Sequence, residues 1–342
     1  MNRETIDNTE VGAHNWIDRL MPDDPCDPRH TVQWHAEQVE ADFDVDYLPS
    51  GYMLDRFGNG QSTFVVPRYG SGAYKGEPKD NYILRSDTGA VVGNMSGKYP
   101  VREGYKHVFD TLEQLFPEHC ENITVFGNGE RVVVEQCLDV PYDLGDDGDM
   151  IQPFVYTRMS LNGVWKTEII PVARRISCEN MLTHAGSVVA VRATKNHDKL
   201  LTMRSAIIEK SIAQGVALRN MAMVFKNQTF TDMAFEKMMK DIVPTPDPDS
   251  HTKTLNLHTD KTMAIRSAWK RELQSEDANM WTAYNAFQGA EQHKINAGFK
   301  TTAKSKERSL TRALDGKTPI ADEAEKYLRE LIHARSSSDL PY

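Results

Sequence analysis

The strongest constraint in this chain is Asn162-Gly163, which lies between two β-rich runs, Pro153–Ser160 and Trp165–Ala173. Asn-Gly accepts the positive φ values that a tight hairpin turn demands, so the two runs are predicted to pair antiparallel. A second hairpin is expected from Ile123–Phe126 and Arg131–Val140 around Gly127-Asn128-Gly129. Further strands are read at Thr63–Arg68, Tyr82–Arg85, Ala90–Val92 and Val188–Ala193, and Asp42–Tyr47 alternates acidic and apolar residues strictly.

Helical periodicity sits beside these strands. Val108, Phe109, Leu112, Leu115 and Phe116 recur at helical spacing within Gly104–Phe116, and a short helix is predicted over Thr31–Ala41. Leu201, Ile208, Ile212, Val216 and Met223 form one stripe of a long helical region that persists to Ile242. Pro244, Pro246 and Pro248 then stop it. Thr318-Pro319 reads as the N-cap and first residue of a last helix, with Ala324, Tyr327, Leu328 and Leu331 inward. The expected class is α+β: an antiparallel hairpin-rich sheet packed with helices, then a mostly helical C-terminal part. The expected organisation is a flexible acidic arm (1–30), an α+β core (31–243), a linker (244–258) and a helical region (259–342).

Charge is distributed unevenly. Of a net −9 over 342 residues, residues 1–60 alone supply 13 acids against 4 Lys or Arg, so the remainder is neutral overall and free to carry basic patches. The four cysteines Cys26, Cys120, Cys137 and Cys178 contain no Cys-x-x-Cys pair, which argues against a zinc site and a disulfide framework. No apolar run reaches the roughly 18 residues of a membrane span, and the polar, acidic N-terminus is unlike a signal peptide. The expected location is the cytoplasm, with no membrane partner.

No phosphate-binding Gly-x-x-x-x-Gly-Lys-Ser/Thr loop, Gly-x-Gly-x-x-Gly turn or His-Glu-x-x-His helix is present. Asp42, Asp44 and Asp46 would offer three carboxylates to a divalent cation from one strand face, although alternating exposed acids are ordinarily just solvated. The loop Asp143–Asp149 lacks the spacing of a calcium site and reads as a hydrophilic hairpin loop. Cys178 and His184, six residues apart, fall on different helical faces and make a poor nucleophile–base pair. The sequence therefore predicts no catalytic residue, metal ligand or cofactor.

Arg158 to Lys210 differs in kind, with nine Lys or Arg against four acids. Arg158, Arg174, Arg175, Arg192 and Lys195 are the predicted phosphate contacts, and Tyr156 and Trp165 the predicted stacking surfaces for unpaired bases. Asn180 is expected to hydrogen-bond a phosphate or a helix end. A second basic stretch, Lys294–Lys317, has a weakly apolar portion at Gly298–Ser309 and reads as a mobile connection.

Several segments carry a family resemblance covering roughly residues 30 to 335. They are Trp34 with Asp42-Phe43-Asp44-Val45, Val91-Val92-Gly93-Asn94 before Tyr99, the Asn162-Gly163 turn, Arg175-Ile-Ser-Cys178-Glu-Asn180-Met-Leu182, and Tyr284-Asn285-Ala286 with His293. Together they resemble phage- and plasmid-borne family 932 among the domains of unknown function. Arg192-Ala-Thr194 stands where the pattern has Arg-His-Thr, so any role of that His is absent here. The resemblance implies mobile-element DNA metabolism, with distant similarity to single-strand annealing proteins of the Rad52 and Redβ type. The function expected on that basis is ATP-independent binding and annealing of single-stranded DNA by a homo-oligomer, with an exonuclease or single-strand-binding protein as partner. Two other readings stay open: an interaction protein that uses the acidic arm against a host target, and a metal-dependent nucleic-acid enzyme built on Asp42, Asp44 and Asp46.

Overall fold

A computed structural model describes residues 31–49, 80–96, 104–117, 119–138, 141–144, 149–175, 181–182, 189–191 and 203–338. The predicted strand Thr63–Arg68 and the acidic arm lie outside the described residues. The elements run α1 (Val32–Gln38), β1 (Val45–Pro49), β2 (Asp80–Arg85), β3 (Val91–Ser96), α2 (Lys106–Leu115), β4 (Cys120–Phe126) and β5 (Arg131–Cys137). They continue with β6 (Tyr142–Asp143), β7 (Met150–Ser160), β8 (Thr167–Arg175), β9 (Met181–Leu182) and β10 (Val189–Val191). The rest is helical: α3 (Arg204–Lys226), α4 (Asp232–Ile242), α5 (Thr252–Glu272), α6 (Met280–Ala290), a π-helical turn (Glu291–Ile295), α7 (Ala303–Leu314) and α8 (Pro319–Ser338). This is an α+β protein with antiparallel sheets and a mostly helical C-terminal part.

The contacts divide the chain into two compact units. One comprises 1–138, 154–171 and 187–210; the other comprises 139–153, 172–186 and 211–342. In the first, β1-β2-β3 form one sheet and β4, β5 and the later part of β7 belong to a second. Val132, Val134, Val155, Met159 and Ile123 alternate onto a single face and pack with Val108, Phe109, Leu112 and Leu115 of α2. Gln136, buried in this layer, donates to the Phe116 carbonyl, which lies past the end of α2, and to the Leu112 carbonyl, which also accepts the Phe116 N–H. At Gly93 on β3 the backbone runs so close to the Leu161 carbonyl that an added Cβ would lie 2.1 Å from that oxygen, so only glycine fits.

In the second unit every residue of α6 is buried, the polar Thr282, Asn285 and Gln288 included, as expected of a helix surrounded by neighbours; α5 and α8 pack against it. Phe235 of α4 stacks on Trp269 of α5 at 4.4 Å, and Trp269 Nε1 donates to Asp232 Oδ1.

Two expectations need correcting. Helix α5 begins at Thr252, inside the predicted linker, because His251 Nδ1 accepts the Lys253 N–H and caps it. Gly298–Ser309 is not a bare connection: Thr302 N-caps α7, whose Ala313 and Leu314 are buried. Polar anchors hold that helix where apolar residues are few, with Ser309 Oγ donating to the Gln292 carbonyl and Arg312 Nε to Asn296 Oδ1.

Candidate nucleic-acid interface

Direct pairing of β5 with β7 sets Arg131 opposite Ser160, Val133 opposite Arg158 and Glu135 opposite Tyr156. Phe126 of β4 stands opposite Arg131. Cross-strand partners share a sheet face, so Phe126, Arg131, Tyr156 and Arg158 lie on one side, opposite the core-facing valines.

The hairpin end places Trp165 on this face. Its N–H donates to Ser160 Oγ, and the same hydroxyl donates back to the Trp165 carbonyl, both at 2.9 Å. The turn itself uses Gly163 at φ 72°, with Asn162 Oδ1 accepting the Val164 N–H. The indole is half-buried, edge-on to Phe126 at 5.9 Å, with the Arg131 guanidinium 5.5 Å and the Arg158 guanidinium 5.9 Å from its ring. Arg158 is oriented by Glu168, to which its Nε donates at 2.7 Å. The outcome is an aromatic ring on a sheet face with two guanidiniums near it, of which Arg158 is ion-paired to Glu168. Arg131 was not among the predicted residues, though its position just after the Gly127-Asn128-Gly129 turn puts it in register with the Trp165 hairpin. Tyr156, predicted as a stacking surface, is only 3% exposed and lies beside Phe154.

In the second unit, strand alternation sends Arg174 and Arg175 to opposite faces of β8. Arg174 is half-buried. Arg175, predicted on a phosphate, is 1% exposed and fully engaged. Its Nε donates to Asp149 Oδ1 at 2.8 Å, one Nη to Glu272 Oε2 at 2.7 Å and the other to Glu276 Oε1, with its guanidinium 5.7 Å from the Trp281 ring. Lys226 Nζ adds contacts to Asp149 at 3.2 Å and Glu276 at 3.5 Å. A buried guanidinium satisfied by three carboxylates is an anchor of the fold and not a phosphate contact. The same finding revises the acidic loop, since Asp149 is buried in this network and not solvated. Asn180, Arg192 and Lys195 lie outside the described residues.

Asp149 and Glu276 crowd one another beside Arg175 and Lys226, while Glu272 also has the exposed Arg271 at 4.0 Å. Burial and the neighbouring Asp149 push Glu276 up to about 7. Burial also opposes ionisation of Asp149, but hydrogen bonds from Arg175 and Glu276 overcome it and hold Asp149 at about 2. Elsewhere, burial lifts Glu291 to about 7 even though it accepts the Ala321 N–H at the start of α8.

Asp42 accepts from Gln33 Nε2 at 2.6 Å, and among the described residues no group of three or more His, Cys, Asp or Glu is placed to hold a metal ion. No helix among the described residues is long and apolar enough to cross a membrane.

The family described as domain of unknown function DUF932 matches residues 95–315, nearly two thirds of the chain. The chain belongs to that family. The span matched to DUF932 runs from before α2 through the Trp165 hairpin, the Arg175 network and α7, but leaves out Trp34, Asp42–Val45 and Val91–Asn94. The Tyr284-Asn285-Ala286 segment that carried part of the resemblance is core: Tyr284 stacks on Trp281 at 5.8 Å, and Asn285 Nδ2 donates to the Trp281 carbonyl. No curated protein and no solved structure matches this DUF932 chain.

Proposed function

We propose that this DUF932 protein binds single-stranded nucleic acid and anneals complementary strands without nucleotide hydrolysis, within a phage or plasmid recombination or replication system. The observation that carries the reading is Trp165, half-buried with the guanidiniums of Arg131 and Arg158 beside its ring. Unpaired bases expose π-faces that duplex stacking hides, and the indole supplies a stacking surface beside Arg131, while Arg158, held by Glu168, orders the face around it. The resemblance to Rad52- and Redβ-type proteins supports the annealing step and a homo-oligomer. An exonuclease or single-strand-binding protein is the partner class such a system would supply.

The test compares wild type, Trp165→Ala and Trp165→Phe in fluorescence anisotropy with a labelled oligothymidine. Stacking on an aromatic ring contributes about 1–3 kcal/mol per base, so Trp165→Ala weakens binding roughly 5- to 150-fold while Trp165→Phe retains most of it. Equal affinity of all three proteins, with unchanged circular dichroism, would remove the platform from the account.

A further inference from the structure

The segment from His293 to Lys317 carries seven Lys or Arg against two acids, a local +5 in a chain of net −9. The fold draws part of this charge together. Lys294 is the penultimate residue of the π-helical turn, after which Phe299 N–H donates to the Lys294 carbonyl and Gly298 N–H to that of Ile295. These two bonds make a Schellman cap, with Gly298 at φ 66°. Phe299 follows at φ 59°, a left-handed conformation costly for a residue with a side chain. Lys300 follows the cap directly, and the Arg308 guanidinium reaches over it, 3.7 Å from where a Gly298 Cβ would stand. Ser305 Oγ donates to the Lys300 carbonyl at 2.9 Å, which fixes Lys300 against the first turn of α7. Lys304 lies one turn before Arg308 on that helix.

Lys294, Lys300, Lys304 and Arg308 are all exposed, and among the described residues none is ion-paired to a carboxylate. Their neighbours are committed otherwise: Arg312 to Asn296 and Lys317 to Asp315. Four uncompensated cations around one rigid cap, beside the positive N-terminal end of α7, form a surface suited to successive phosphates.

We infer that Lys294, Lys300, Lys304 and Arg308 form a second nucleic-acid contact, one that follows the phosphate backbone and reads no base. The inference rests on the single-strand-binding reading above. It differs from that reading in its measurable signature, because phosphate contacts set the salt dependence of binding whereas Trp165 stacking does not.

The experiment measures oligothymidine affinity by anisotropy from 50 to 300 mM salt for wild type, the quadruple Gln variant of the four cations, and Trp165→Ala. Each phosphate contact to a single strand contributes roughly 0.7 to the slope of log affinity against log salt. The quadruple variant is expected to flatten that slope by roughly 2 to 3, and Trp165→Ala to lower affinity with the slope kept. A wild-type slope retained by the quadruple variant overturns this inference and leaves the Trp165 platform standing. A flattened slope beside an unaffected Trp165→Ala overturns the platform and leaves this inference standing, and no binding by wild type overturns both. Polyglutamate at equal charge serves as competitor: failure to displace the strand supports a nucleic-acid contact, whereas displacement as effective as that by unlabelled oligothymidine assigns the face to an acidic protein segment. A thermal melt shows whether the quadruple variant is folded; should it melt early, Lys304→Gln/Arg308→Gln is expected to give about half the slope change, and an unchanged slope there also overturns the inference.

Discussion

Replacing Arg175 with Met keeps the length of the side chain and removes its charge. Lys226 would then be left with Asp149 and Glu276, and Glu272 with only the half-exposed Arg271 at 4.0 Å, in a site where Arg175 is 1% and Glu272 3% exposed. Breaking a buried ion pair by deleting one partner typically costs about 3–5 kcal/mol, because the buried charges left behind are poorly solvated and incompletely compensated. For a unit of this size each kcal/mol shifts the melting temperature by about 2–4 °C, so a fall of about 6–20 °C is expected at pH 8. The deficit should shrink toward pH 5. Carboxylates that lose their cation have folded-state pKa values raised above their unfolded ones, so the stability they contribute is present at low pH and lost as pH rises. Thermal melts by circular dichroism at pH 5 and pH 8 measure this, and adding Glu276→Gln to the variant should restore part of the loss at pH 8. A variant melting within about 2 °C of wild type, or an equal deficit at both pH values, would refute the reasoning.

Glu276→Gln alone tests the shared proton. Glu276 titrates near 7 in the fold against an ordinary value of 4.5, so its contribution is full below pH 4.5 and lost as pH rises through 7. Urea unfolding should therefore show wild type losing stability relative to Glu276→Gln between pH 5 and 8; parallel profiles would contradict this. Gly93→Ala forces a Cβ against the Leu161 carbonyl and should cost about 1–3 kcal/mol or more in urea denaturation, whereas a neutral result would mean β3 can move aside freely.

Much of this fold is legible in local pattern. Asn162-Gly163 specified the β7–β8 hairpin, and the Val108 to Leu115 spacing specified α2, because both signals depend on residues close in sequence. The same period-2 rule that drew the strands also separates Arg174 from Arg175; treating them as one basic pair overlooked it. What local pattern cannot supply is the identity of Arg175's partners. Glu272 and Glu276 are 97 and 101 residues away, and nothing near Arg175 announces them. Helix α7 is obscured for another reason: charged residues crowd its sequence and its buried apolar residues come only at its end, while hydrogen bonds from Ser309 and Arg312 anchor it.

Arg131 is intermediate between these cases. Its role beside Trp165 follows from the β5–β7 register, which two correctly placed hairpins nearly determine. Charge composition alone pointed instead to the run from Arg158 to Lys210, since it weighs residues by neighbourhood in sequence and not by the face they share.

The most direct measurement is anisotropy of a labelled single-stranded oligonucleotide, and of its duplex, titrated with wild-type protein at 50 mM salt and again at 200 mM. The account predicts saturable binding that favours the single strand and weakens as salt rises. A flat response to the single strand at 50 mM salt would contradict it.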